Sequence, residues 1–261
     1  MPPFFAHEAR LIAALAAAQP DAPVPRLLAA DGGRMLLAHL PGDDLYGARG
    51  ALCHAMIDLL VALQAAWQGQ GEALRAMGLP DWRGPAMAAA LAALVARRGG
   101  EFGADERARL DRFVAGLPAR FAAIAACGLA DGLVHGDFHA GNLRGDPGPH
   151  SSGGGRLTLL DWGDSGIGHP LLDQSAFLSR IAPEDVAAAR AHWTAAWRRL
   201  RPGAQVERAA ALLAPVASAR MALIYQRFLD GIEAAEHPYH RADVPAWLGR
   251  TLQALAAEGG A

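Results

Sequence analysis

The 261-residue sequence predicts an α+β fold: a mostly helical body carrying one small acid-bearing β-hairpin, with a short β-ribbon near the N-terminus. Three observations predict it. Most of the chain is alanine- and leucine-rich, with apolar residues at three- and four-residue spacing. Two short apolar runs, Leu133-Val134 and Leu157 to Leu160, each lead into an aspartate. Two strand-like runs near the N-terminus are joined by Asp31-Gly32-Gly33, a hairpin-type turn.

In chain order, Phe4, Phe5, Glu8, Leu11, Ile12 and Leu15 predict an amphipathic helix over residues 4 to 18, with Glu8 at the edge of its buried face. Strands follow over 26–29 and 34–40, and Pro41-Gly42-Asp43-Asp44 breaks the second. A helix is expected over 47–68, a turn-rich connection over 69–81, and helices over 85–98 and 105–126, the last capped by Gly128. After the acid-bearing stretch, helices are expected over 171–180, 183–200, 206–233 and 244–257. Residues 145–155, including His150 and two serines, read as a loop between the hairpin's strands. The organisation is a small N-terminal lobe, 1–40, and a helical lobe, 41–261.

Composition bounds the function. Apolar residues make up 52% and charged residues 19%, which describes a globular chain. A net charge of −2 supports neither nucleic acid nor an anionic membrane as partner. No apolar stretch is expected to span a membrane, and MPPFFAHEAR has no signal-peptide pattern. Cys53 and Cys127 lack metal-site spacing and read as free core thiols, which implies a reducing, cytoplasmic setting. The sequence has no lysine: all 24 of its Lys and Arg residues are arginine.

The chemistry is concentrated in LVHGDFHAGN, residues 133–142, and LLDWGD, residues 159–164. Short strands that stop at an acid place it on a loop above a rigid scaffold, where catalytic groups sit. Asp137, Asn142 and Asp161 offer hard oxygen donors or a base, suited to Mg²⁺ and phosphate. The stretch resembles the catalytic loop and metal-binding motif of the aminoglycoside phosphotransferase and choline kinase group, small-molecule kinases with a protein-kinase-like fold. The shared pattern is His-x-Asp, an Asn five residues after the Asp, and a separate Asp.

That resemblance implies an ATP- and Mg²⁺-dependent phosphotransferase acting on a small-molecule hydroxyl. Asp137 would take or orient the hydroxyl proton, while Asn142 and Asp161 would hold Mg²⁺. His135 would support the loop. His139 would contact phosphate or shape the loop, and Asp164 would act on metal or substrate or simply close a turn. Asp173 would brace the loop by accepting backbone N–H bonds. Backbone groups at Ala38, His39 and Leu40 would face adenine, and Glu8 would match the ion-pairing helix glutamate. The C-terminal acids Asp230, Glu233 and Glu236 would meet a cationic substrate or form a solvated face.

The pattern departs from the family before Glu8, where relatives carry a phosphate-covering loop and a lysine that pairs with that glutamate. Arg10 or Arg34 would have to substitute. An incomplete copy and a kinase-like binding protein without efficient transfer are both compatible with this. A third reading, a metallohydrolase, would use His135, Asp137, His139 and Asp161 around a transition metal.

Overall fold

A computed structural model describes residues 5–145 and 157–259. Helix α1 spans Glu8–Ala18 and buries Glu8, Leu11, Ile12 and Leu15. It begins later than predicted because residues 5–7 form a turn; Phe4 lies outside the described residues. Strands β1 (Leu27–Asp31) and β2 (Arg34–Leu37) pair antiparallel around Gly32-Gly33, both at positive φ, as a tight two-residue hairpin requires. The second strand stops at Leu37 rather than Leu40.

The predicted break at Asp43-Asp44 is instead a short strand, β3 (Asp43–Asp44). Gly42, at φ +87, lies so close to Gly145 that a Cβ would sit 2.4 Å from its carbonyl oxygen. That close approach delivers β3 to the edge of a catalytic-side strand. Helices α2 (Ala51–Ala66), α3 (Gly71–Ala76), α4 (Gly84–Arg98) and α5 (Ala104–Ala125) follow. Helix α3 falls within the connection predicted as turns. At the start of α5, Glu106 accepts from Gly103 N at 3.2 Å, satisfying a donor the helix leaves free.

The predicted single hairpin is two nested ribbons. Strand β4 (Gly132–Val134) pairs with β7 (Gly166–Gly168), whereas β5 (Leu143–Gly145) pairs with β6 (Thr158–Leu159) and with β3. Leu143–Gly145 forms a strand of its own close to β6, so β4 is closed by the strand that comes later. Asp137 and Asp161 therefore mark the two crossings between ribbons, rather than the ends of paired strands. The predicted loop with His150 lies at residues 146–156, outside the described residues.

The remaining helices are α6 (Leu172–Leu178), α7 (Val186–Leu200), α8 (Val206–Gly231), α9 (His237–His240) and α10 (Asp243–Gly259). Helix α8 is the centre of this body and packs on α10, α4, α5 and α6. By length and composition it could cross a membrane, contrary to the expectation from sequence, yet 61% of its apolar window is buried inside the fold. Phe138, at the tip of the catalytic loop, stacks on Phe177 of α6 at 5.1 Å and meets Trp193 of α7 edge-on. Burying such a ring stabilises by about 1.5–3 kcal/mol and fixes the loop to the core. Cys53 and Cys127 are free and buried.

Candidate active site

The catalytic loop leaves β4 at Val134 and turns at once. Gly136 adopts φ +98, and a Cβ there would lie 2.0 Å from Asp164 O, so only glycine lets the two turns meet. Asp173 of α6 lies beneath, fully buried, and accepts from His135 N at 2.9 Å, Gly136 N at 2.7 Å and Gln64 Nε2 at 2.8 Å. Burial pushes its carboxyl up to about 6, against the opposing charge of Arg220 and those donors.

His135 is locked in this scaffold. Its Nε2–H donates to Leu160 O at 2.8 Å, its Nδ1 faces Asp137 N at 3.4 Å, and its ring packs on Trp162. Burial pushes the imidazole down to about 4, so it is neutral at physiological pH. With both nitrogens engaged it has no lone pair for a metal, which removes the metallohydrolase reading.

Asp137 receives two donors. Arg180 Nη1 donates to Oδ1 at 2.6 Å, and His139 Nε2 faces Oδ2 at 3.3 Å. His139 Nδ1 accepts from Gly141 N at 3.0 Å, which leaves its proton on Nε2, directed at Asp137. Burial alone would raise the Asp137 carboxyl. The bonds and charges of His139 and Arg180 outweigh it and hold the group well below the usual carboxylate range. Asn142 Nδ2 donates to Asp137 O at 2.9 Å, which turns its Oδ1 away from that carbonyl. Asn142 O accepts from Leu160 N at 2.8 Å, joining the first crossing to the second.

At the second crossing Asp161 has φ +57, the one non-glycine residue at positive φ among the described residues. Such conformations cost about 1–3 kcal/mol and persist where the surroundings impose them. Glu8 is part of those surroundings: its Oε1 accepts from Trp162 N at 3.0 Å. Glu8 forms no ion pair with an arginine among the described residues. Neither Arg10 nor Arg34 substitutes for the missing lysine, since Arg34 pairs with Asp31 and Arg10 lies against Gly78. Burial raises the Asp161 carboxyl, and the negative charge of Asp137 adds to it. Asp164 is pushed up to about 6 by burial, with Arg220 opposing, and its Oδ1 has no hydrogen-bond partner.

The structure thus gathers Asp137, Asn142, Asp161, His135, His139, Asp164, Asp173 and Glu8 around one junction. Ala38, His39 and Leu40 link β2 to β3 instead. Arg144 ties their end to β5 through Leu40 O and Gly42 O, and no hydrogen bond joins them to Asp137, Asn142 or Asp161 among the described residues. Asp230 is committed to a two-pronged ion pair with Arg97 at 2.8 and 2.9 Å, which takes it from the predicted cation-meeting set.

Sequence reading missed two arginines here. Arg220 is fully buried, donates to Gly136 O, and lies among Asp137, Asp164 and Asp173. Its signal was available: it is the one charge between Ala209 and Tyr225, and an isolated charge in a buried stripe marks a structural or chemical requirement. Arg180, exposed past the end of α6, had no such signal.

A model of the phosphotransferase enzyme family matches residues 2–212, and the chain belongs to that family. Solved structures share its kinase-like fold. A GDP complex of wild-type aminoglycoside 2'-phosphotransferase-IIIa is 13% identical with TM-score 0.62, covering 98% of this chain and 82% of that one. An ethanolamine kinase from Plasmodium vivax is 9% identical with TM-score 0.61, covering 94% and 72%. A macrolide 2'-phosphotransferase from Brachybacterium faecium is 18% identical with TM-score 0.56, covering 92% and 79%. No curated protein sequence matches the chain.

Proposed function

We propose that the chain transfers the γ-phosphoryl group of ATP to a hydroxyl of a small molecule, with Mg²⁺ held by Asn142 and Asp161. The observation that carries this is the junction itself, where an ionised Asp137 shares hydrogen-bonded backbone with an outward amide oxygen and a strained aspartate. The two prospective ligands fit a hard cation. Asn142 keeps Oδ1 for it, and Asp161 is a carboxylate whose ionisation is opposed by burial and a neighbouring negative charge. Mg²⁺ bound there would neutralise charge on the phosphates during transfer.

Asp137 orients the acceptor hydroxyl and takes its proton. Because Arg180 and His139 make it a weak base, proton transfer to it comes late and positioning is its larger contribution. Glu8 holds the Trp162 amide and with it the Asp161 turn, and Asp164 would assist the metal through water or bind the acceptor. Backbone groups of Ala38–Leu40 would receive the adenine, with residues 1–40 forming the nucleotide side and 41–261 the acceptor side. The GDP-bound neighbour supports a nucleotide at this fold's cleft. The two buried thiols favour a reducing cytoplasm.

A lysine-free sequence favours a second reading, nucleotide binding without efficient transfer. Nucleotide consumption against a panel of amino-alcohol, aminoglycoside, macrolide and sugar acceptors separates the two, beside calorimetric ATP binding with and without Mg²⁺. Acceptor-dependent turnover that falls about 10²–10⁴-fold in Asp137→Ala supports transfer. ATP binding with no turnover on any acceptor supports the second reading.

A further inference from the structure

The charge left uncommitted beside Asp137 is positive. Arg180 lies just past the end of α6, and its Nη1 donates to Asp137 Oδ1 at 2.6 Å. A guanidinium carries several N–H donors in one plane, and the others of Arg180 meet no acceptor among the described residues. Its side chain is 38% exposed, so those donors can be reached from solvent.

The negative groups of this region are already engaged. Asp137 holds Arg180 and His139. Asp164 is opposed by the buried Arg220, and its Oδ1 is itself buried. Asp161 is the carboxylate proposed for Mg²⁺. Asp243 pairs with His240 at 3.1 Å, and Asp230 pairs with Arg97 at 2.8 Å. Tyr225 of α8 lies in the same field: the charges of Asp137, Asp164 and Arg180 all act on its phenol, which burial keeps protonated as a neutral donor.

Arg180 and an acceptor hydroxyl can share one carboxylate. The guanidinium occupies Oδ1, whereas Oδ2, with His139 at 3.3 Å, keeps a lone pair for the hydroxyl. Groups hydrogen-bonded to the two oxygens of one carboxylate stand about 4–6 Å apart. A second carboxylate, about one to three carbons along from the hydroxyl-bearing carbon, spans that gap. Its two oxygens match the planar fork of the guanidinium.

We propose that the acceptor is a hydroxy acid, with its hydroxyl on Asp137 and its carboxylate on Arg180. This rests on Asp137 orienting the acceptor hydroxyl, and it names which hydroxyl compounds the site selects. An ammonium in the same place would meet the guanidinium as a like charge, and a second hydroxyl would bring no charge to it. A phosphate dianion there would be repelled by the triphosphate more strongly than a carboxylate is. In the transfer step the hydroxyl oxygen bonds to the γ-phosphorus as the bond to the β–γ bridging oxygen breaks. The hydroxyl proton passes to Asp137 and ADP leaves, while the acceptor carboxylate stays on Arg180 and changes no bond.

Matched series test this on the full chain: glycolate, 3-hydroxypropanoate and 4-hydroxybutanoate, the corresponding diols, and the corresponding amino alcohols. Turnover is read as ADP release from ATP with Mg²⁺. Binding is read separately, by ligand-observed NMR with Mg²⁺ and a non-hydrolysable ATP analogue. At the best chain length the acid is expected to exceed the amino alcohol by at least about tenfold in kcat/KM and in affinity, with the diol between them. Arg180→Gln keeps a planar polar side chain without the charge, and is expected to remove that order whatever it does to the absolute rate through Asp137. Its folding is checked by circular dichroism, and the wild-type order decides alone should the variant fail to fold. Acids that bind through Arg180 without turnover would uphold the Arg180 site and sink the transfer reading. Amino alcohols or diols that equal the acids, an acid preference that survives in folded Arg180→Gln, or no binding of any acid would overturn the proposal.

Discussion

The two crossings between the ribbons are a few ångströms of hydrogen-bonded backbone apart and electrostatically opposite. At the first, Asp137 is bonded by Arg180 and His139, and its carboxyl is held ionised despite burial. At the second, Glu8, Asp161 and Asp164 crowd together, each raised by burial and by neighbouring negative charge. Burial acts on both, so it is not what separates them. The difference is whether the protein itself supplies a bonded cation. The first crossing is complete within the chain. The second carries an excess of negative charge that an external cation would relieve, which is the division of labour expected of a base and a metal site.

Arg220 and Asp173 brace the catalytic loop at His135 and Gly136, so the largest expected effect comes from cutting that brace. Asp173→Ala leaves two backbone N–H groups without their acceptor, takes one of two acceptors from Gln64 and removes one of the three carboxylates around Arg220. Stability should fall by about 3–5 kcal/mol, read by urea unfolding at pH 7.5. A loss below about 1 kcal/mol would mean that the loop is braced by something other than this carboxylate.

Relieving the crowded crossing should have a smaller effect of opposite sign. A carboxyl at about 6 in the folded state, against about 3.8 unfolded, binds a proton more tightly when folded. Between those values the native state holds more protons, so stability declines as pH rises from about 4 to 6 and is flat above. Asp164→Asn removes this cost. It should raise stability above pH 6 by an amount on the order of 1–3 kcal/mol and flatten the slope between pH 4 and 6. Wild-type and variant curves that stay parallel across that window would show Asp164 to be ordinary.

Arg180→Ala should change stability least, by about 1 kcal/mol or less, because the arginine is 38% exposed. Its effect is on ionisation. Without it the Asp137 carboxyl moves up towards the usual range, held only by His139, and the acid limb of a pH–rate profile moves to higher pH. An acid limb that does not move would assign the low carboxyl to His139 alone.

These contrasts also show how far sequence reading reached. The helices from α4 onward, the single-turn α9 excepted, were legible within a few residues because apolar spacing, caps and glycines act locally. Asp137, Asn142 and Asp161 were selected by acids that end short apolar runs and by the kinase-like motif they resemble. The five-residue interval keeps the first two in one loop, and the Leu160 N to Asn142 O bond brings the third beside them. The pairing of β4 with β7 was not legible. Strand β5 is three residues, one of them apolar, and its partner lies across a loop that gives no register. Glu8 was legible as a helix glutamate without its usual lysine, but the partner it has, a backbone amide 154 residues away, was not.

By itself the sequence determined which residue types could do the chemistry and which segments are helical, because both follow from neighbours within a turn or two. Only the tertiary structure decided which carboxylates stay ionised and which ribbon each aspartate leaves. Both depend on charges and strands contributed by segments far apart in the chain, such as Arg180, Arg220 and β7. Coulomb and desolvation energies are set by distance in space and by what displaces water, neither of which is written in residue order.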